Sequence, residues 1–121
     1  MFSHIMLGAD DVQASKKFYD AILGALGYAP GTIDAKGRCM YKGKGGLLML
    51  TKPLNNAPAT GANGGTVGFA AESADAVNAW HKAGVENGGT TCEDPPGLRP
   101  SGLYLAYLRD PAGNKLCAMH H

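Results

Sequence analysis

The sequence carries one arrangement of elements twice. With an offset of 62 residues, His4 falls on Thr66, Leu7 on Phe69, Ser15 on Val77 and Phe18 on Trp80. Identity between the halves is slight, but both read strand–helix–strand–strand–strand. Two copies are too few for a stacked solenoid. A lone four-stranded unit would leave one sheet face open, so the two copies are expected to close against each other, with a cleft between curved sheets. Such clefts are natural small-molecule sites. The expected organisation is a single domain over residues 1–121. Module one spans about 1–53, an aperiodic loop about 53–65, and module two about 66–121.

Hydrophobic periodicity places the elements. Residues 3–8 are a short apolar run of strand length. Asp11 is the better of two candidate helix caps, and Val12, Phe18, Tyr19, Ile22, Leu23 and Leu26 recur at three- and four-residue steps on one helix face. Gly24 and Gly27 mark that helix's end and Pro30-Gly31 its stop. Strands are expected at 31–35, 38–42 and 47–51, with Gly43-Lys44-Gly45-Gly46 as a hairpin turn. That turn lacks the spacing of a phosphate loop, and no helix follows it. In the second half, 66–71 reads as a strand. Ser73 caps a helix striped by Ala76, Val77, Trp80 and Ala83, and Gly84 and Gly88-Gly89 are expected to close it. Short strands follow at 90–93, 103–109 and 115–119. Pro95-Pro96-Gly97 is a loop, and Asp110-Pro111-Ala112-Gly113-Asn114 is a turn whose proline pre-sets φ and whose Gly113 can take positive φ.

Composition removes several function classes. Lys+Arg is 11 and Asp+Glu is 10, with no run of five like charges, which argues against nucleic acid or an anionic membrane surface as partner. No stretch approaches the ~18 apolar residues of a membrane span, and residues 1–4 lack the pattern of a signal peptide. Cys39, Cys92 and Cys117 are odd in number and show no CxxC spacing, so reduced thiols in a cytoplasmic protein are expected. Glycine, 18 of 121 residues, is about twice the ordinary ~7% and is spread along the chain, as many tight turns between short strands require.

Several segments, taken in order, resemble the vicinal oxygen chelate superfamily of glyoxalase I, fosfomycin- and bleomycin-resistance proteins and extradiol dioxygenases. They are His4-Ile5 on the opening strand, Asp11-Val12 through Ser15 to Phe18-Tyr19 at the first helix, and Leu23-Gly24 with Gly27-Tyr28 at its exit. In the second half they are 67–71 running into 74–84, and 107–115 around Asp110-Pro111-Ala112-Gly113-Asn114. The resemblance covers nearly the whole chain. It implies an α+β fold of two βαβββ modules forming a half-barrel, with mixed, mostly antiparallel sheets, and it raises the expectation of a homodimer.

It also implies a divalent metal in the cup, held by His and Glu from module one and by His or Gln and Glu from module two. The corresponding positions here are His4, Met49, Thr66 and Cys117, so one of four keeps its ligand type. One imidazole, a thioether, a hydroxyl and a thiol are a poor set for a hard divalent ion. No metal and no cofactor are therefore expected at these positions, and no carboxylate is left there as general base.

The expected ligand-binding residues are His4, Met49, Thr66, Arg99, Tyr104, Tyr107 and Cys117, with no catalytic residue assigned. Arg99 lies between prolines in 95–102 and could clamp an anion at the rim. Tyr104 and Tyr107 point to opposite faces of one strand, so only one can face the cup. The leading reading is a domain with a degenerate metal site that binds a small, partly apolar molecule. One alternative is a metal-dependent glyoxalase-like lyase or isomerase with a shifted ligand set. Another is a cofactor-free enzyme using Cys117 or His4.

Overall fold

A computed structural model describes all of residues 1–121 and contains two helices and two mixed sheets that do not close into a barrel. Module one runs β1 (His4–Gly8), α1 (Val12–Ala25), β2 (Thr32–Ile33), β3 (Cys39–Gly43) and β4 (Gly46–Thr51). Its strand order is β1-β4-β3-β2, with β1 parallel to β4 and the other pairs antiparallel. Module two runs β5 (Val67–Ala70), α2 (Ala74–Glu86), β6 (Thr90–Thr91), β7 (Gly97–Leu98), β8 (Tyr104–Arg109) and β9 (Lys115–His120). Its order is β5-β9-β8-β6, with β5 parallel to β9 and β7 paired to β8 outside that path. The repeated order is therefore present. The β7 pair is an addition to it, in a stretch that reads as loop in the sequence.

Both helix starts form as their caps dictate. Asp11 accepts the amide of Ala14 and Ser73 accepts that of Ala76, which satisfies donors that a helix N-terminus otherwise leaves open. Gly84 does not close α2. It lies inside the helix and is buried, and a Cβ there would stand 2.3 Å from Leu108 Cδ1 and 3.1 Å from Ile22 and Phe18. The glycine lets α2 approach β8 and α1 closely. Phe18, Tyr19 and Ile22 of α1 then share one core cluster with Val77 and Trp80 of α2 and with Leu108, Leu116 and Ala118 of the second sheet. A core common to both halves is what the duplicated sequence requires, since neither half covers its sheet alone.

The Asp110–Asn114 turn holds the halves together at a second, polar point. Asp110 and Asn114 are each only 4% exposed. Asp110 accepts the Tyr19 hydroxyl at 2.6 Å, the amides of Ala112 and Asn114 at 2.9 Å, and the Asn114 side-chain amide at 2.8 Å. Asn114 also donates to the Gly8 carbonyl at the end of β1. A buried carboxylate with this many donors is satisfied; without them it would be costly. Burial first, and then the Asp110 charge, push the Tyr19 phenol well above its ordinary value, so it is a protonated donor at neutral pH.

Within module one, Asp20 ties α1 to β3, accepting from Lys16 (2.6 Å), the Gly31 amide (2.9 Å) and the Tyr41 hydroxyl (2.7 Å). Burial raises its carboxyl, but these three donors and the Lys16 charge outweigh it and leave the group below the usual carboxylate range.

Two stability tests follow from this packing. Gly84→Val should lower the unfolding free energy by about 1–3 kcal/mol, because the branched side chain has no space against Leu108. Asp110→Ala should cost about 3–5 kcal/mol by leaving buried donors unpaired, against about 1–2 kcal/mol for Tyr19→Phe. Urea unfolding followed by circular dichroism measures all three. An Asp110→Ala variant as stable as Tyr19→Phe would show that the turn does not join the halves.

Candidate functional site on the open sheet faces

Strand alternation decides which side chains leave the core. In sheet one, Ile5, Leu7, Cys39, Tyr41, Leu48 and Leu50 pack toward the helices. His4 and Met6 of β1, Met40 of β3, and Met49 of β4 therefore point to the opposite, open face. Register sets Met6, Met49 and Met40 abreast on three neighbouring strands. Met49 is only 7% exposed even though it lies on that face, while Met6 is 41% exposed. Thioethers are polarisable and flexible, and methionine-rich surfaces adapt to the shape of what they contact.

In sheet two, Ala106, Leu108, Leu116 and Ala118 are buried toward the helices. Cys117 and Tyr107, directly paired in register, lie on the open face beside Gly68. Lys115 is on the same face, its ammonium 5.1 Å from the centroid of the Tyr107 ring and ion-paired with Glu93. Glu93 adopts a positive φ of 55° in the loop after β6. The sequence pattern extends a strand to Glu93, but the strand ends at Thr91, and the loop conformation is what brings Glu93 to Lys115.

The other expected residues are placed as follows. Thr66 immediately precedes β5 and is exposed. Tyr104 is the tyrosine that packs under a helix: it touches the core cluster and donates its hydroxyl to Asn78 of α2 at 2.9 Å, so it does not reach the open face. Arg99 spends its guanidinium on the carbonyls of Asp94, Pro95 and Gly97 in its own loop. It organises that loop, while its positive charge still favours ionisation of Tyr107 and Cys117.

Cys117 is 8% exposed. Burial pushes its thiol up; the Tyr107 hydroxyl and the Lys115 and Arg99 charges pull the other way without reversing the shift. The thiol is therefore protonated near neutral pH and is a weak nucleophile. Burial also raises Tyr107, helped by Cys117 and Glu93 and opposed by Lys115 and Arg99. Nowhere in the chain do three or more His, Cys, Asp or Glu side chains cluster so that they could hold a metal ion. The surface thus presents thioether, thiol, phenol and one imidazole, with a Lys–Glu pair at its edge.

This architecture and the sequence agree with one family. The chain belongs to the Glyoxalase/Bleomycin resistance protein/Dioxygenase superfamily, whose model matches residues 1–118. Among solved structures, a glyoxalase/bleomycin resistance protein from Albidiferax ferrireducens T118 is 55% identical, with all of this chain and 98% of that one aligned at a TM-score of 0.95. A glyoxalase-related enzyme from Fulvimarina pelagi shares the fold at 21% identity and a TM-score of 0.81, covering 100% of this chain and 88% of that chain. A lactoylglutathione lyase from Agrobacterium tumefaciens is 26% identical, covering 98% and 92% at a TM-score of 0.68. No curated protein matches the sequence.

The three cysteines are unpaired: Cys39 and Cys117 are buried and Cys92 is partly exposed. Iodoacetamide at pH 7.5 should modify Cys92 first. Cys117 should follow only as pH rises past the ordinary thiol range of ~8.5, where its proton is finally lost. Peptide mass spectrometry reads the order; rapid alkylation of Cys117 at neutral pH would overturn the assignment of a protonated thiol.

Proposed function

We propose that this superfamily member binds a small, partly apolar molecule on its open sheet faces without a metal ion. The observation that supports it most is the side-chain chemistry of those faces. Where a glyoxalase-like lyase needs convergent hard ligands and a carboxylate base, this chain has His4, Met49, Thr66 and Cys117. That donor set does not fit a hard divalent ion. Met6, Met40 and Met49 would supply an adaptable apolar contact, and Tyr107 with Cys117 a polarisable wall carrying two weak donors. His4 would offer the one ring nitrogen not engaged with Ser3, whose hydroxyl lies 2.9 Å from Nδ1.

Burial of a ligand on these faces would be driven mainly by apolar contact, at roughly 25 cal/mol per Å² of apolar surface removed from water. The free outer edges of β2 and β6 and the open sheet faces support assembly as a homodimer, since both gain from cover. We place the protein in the cytoplasm on the strength of its unpaired cysteines. No helix is long and apolar enough to cross a membrane.

The Agrobacterium lactoylglutathione lyase similarity favours a second reading, a metal-dependent lyase or isomerase with a shifted ligand set. Metal analysis and thermal denaturation separate the two. The proposal expects less than one-tenth equivalent of zinc, nickel, iron or manganese in protein purified without chelator, and no rise in Tm on adding them. It also expects aromatic fragments to shift the methyl resonances of Met6, Met40 and Met49. Stoichiometric metal lost on His4→Ala would establish the lyase-type site instead.

A further inference from the structure

A cavity of about 420 Å³ lies at the seam between the modules. It is bounded by the start of β1, the β3–β4 hairpin, the end of α1 and the whole of β5. Its apolar lining includes Ile5, Leu23, Leu48, Val67 and Phe69. Neither β1 nor β5 has a strand partner on this side, so no backbone ladder closes the slot.

The mouth has the opposite character. Lys42 and Lys44 are both exposed and both line it, as does His4, and no acidic residue is among the lining. The chain's four ion pairs use Lys16, Arg38, Lys82 and Lys115, so neither mouth lysine has a carboxylate partner. At the tip of the hairpin the amides of Lys44 and Gly45 donate to no backbone carbonyl. The hairpin is nonetheless held in place. Leu47 donates to the Ser3 carbonyl at 3.1 Å, and Gly46, at φ +142°, sits so close that a Cβ would be 2.8 Å from that same oxygen. Two free cations and two free amides on a braced turn, at the entrance to an apolar slot, complement a molecule with an anionic head and a hydrocarbon tail.

We infer that the seam cavity is a binding site for a small amphiphilic anion, an alkyl or aryl carboxylate of roughly eight to ten carbons. The head sits at Lys42, Lys44 and the hairpin amides. The tail lies between β1 and β5 over Leu23 and Leu48. The site shares His4 with the open-face reading but uses none of Met49, Tyr107 or Cys117, so variants at those three positions separate the two.

Isothermal titration with octanoate, octanol and octylammonium, each below its micelle concentration, tests the charge requirement. Saturable octanoate binding is expected, with the alcohol at least tenfold weaker and the amine not bound. Lys42→Gln/Lys44→Gln should weaken octanoate about tenfold or more. Val67→Trp, which fills the slot from a half-buried lining position, should abolish binding while circular dichroism stays native. Amide resonances of 43–46 and 67–70 should move on titration, and the methyl resonances of Met40 and Met49 should not. Equal binding of acid and amine, an unaffected lysine double variant, or shifts confined to the Met40 and Met49 methyls would each overturn the assignment. It would also fail if octanoate did not bind and the 43–46 and 67–70 amides instead moved with protein concentration. That result would give the cavity to a second copy of the chain.

Discussion

The arrangement of the two halves depends on a single buried carboxylate. Asp110 belongs to the hairpin that joins the last two strands, yet its donors include the hydroxyl of Tyr19 on the first helix, 91 residues earlier in the chain. Asn114, held by the same carboxylate, reaches the carbonyl that ends β1. Apolar packing between α1, α2 and β8 supplies most of the attraction between modules, but it has little directional preference. The hydrogen bonds around Asp110 do have direction. They tie α1 and the end of β1 to the turn between β8 and β9.

Much of the fold was legible in the sequence because it rests on local rules. Asp11 and Ser73 cap helices because short oxygen-bearing side chains reach amides three residues on. The helical stripes of Phe18, Ile22 and Trp80 form the core because helix periodicity puts them on one side. Where the sequence misled, a long-range contact had taken over a local signal. Gly84 reads as a helix terminator, yet it is a contact point, since Leu108 lies where a side chain would go. The loop after Pro95-Pro96 contains a two-residue strand because Gly97 and Leu98 find Leu105 and Tyr104 beside them.

The site was legible in part. Period-two alternation required Tyr104 and Tyr107 to separate, but only the position of α2 determined which one is covered. Glu93 could not be anticipated, because its approach to Lys115 depends on a left-handed backbone position in a loop. Arg99 looked like a free cation between prolines, and the folded loop turns it back onto three of its own carbonyls. The methionine row was hidden for a related reason. Met6, Met40 and Met49 are far apart in sequence, and strand register alone sets them abreast.

The sequence by itself determined the element order, the helix starts, the duplicated modules and the membership that goes with them, because caps, periodicity and turn residues act over a few positions. Only the tertiary structure decided which sheet faces stay open, which charges remain unpaired, and that a slot with two lysines at its entrance runs between β1 and β5. Those outcomes depend on contacts between residues tens of positions apart, and no local pattern encodes the side from which a strand is covered.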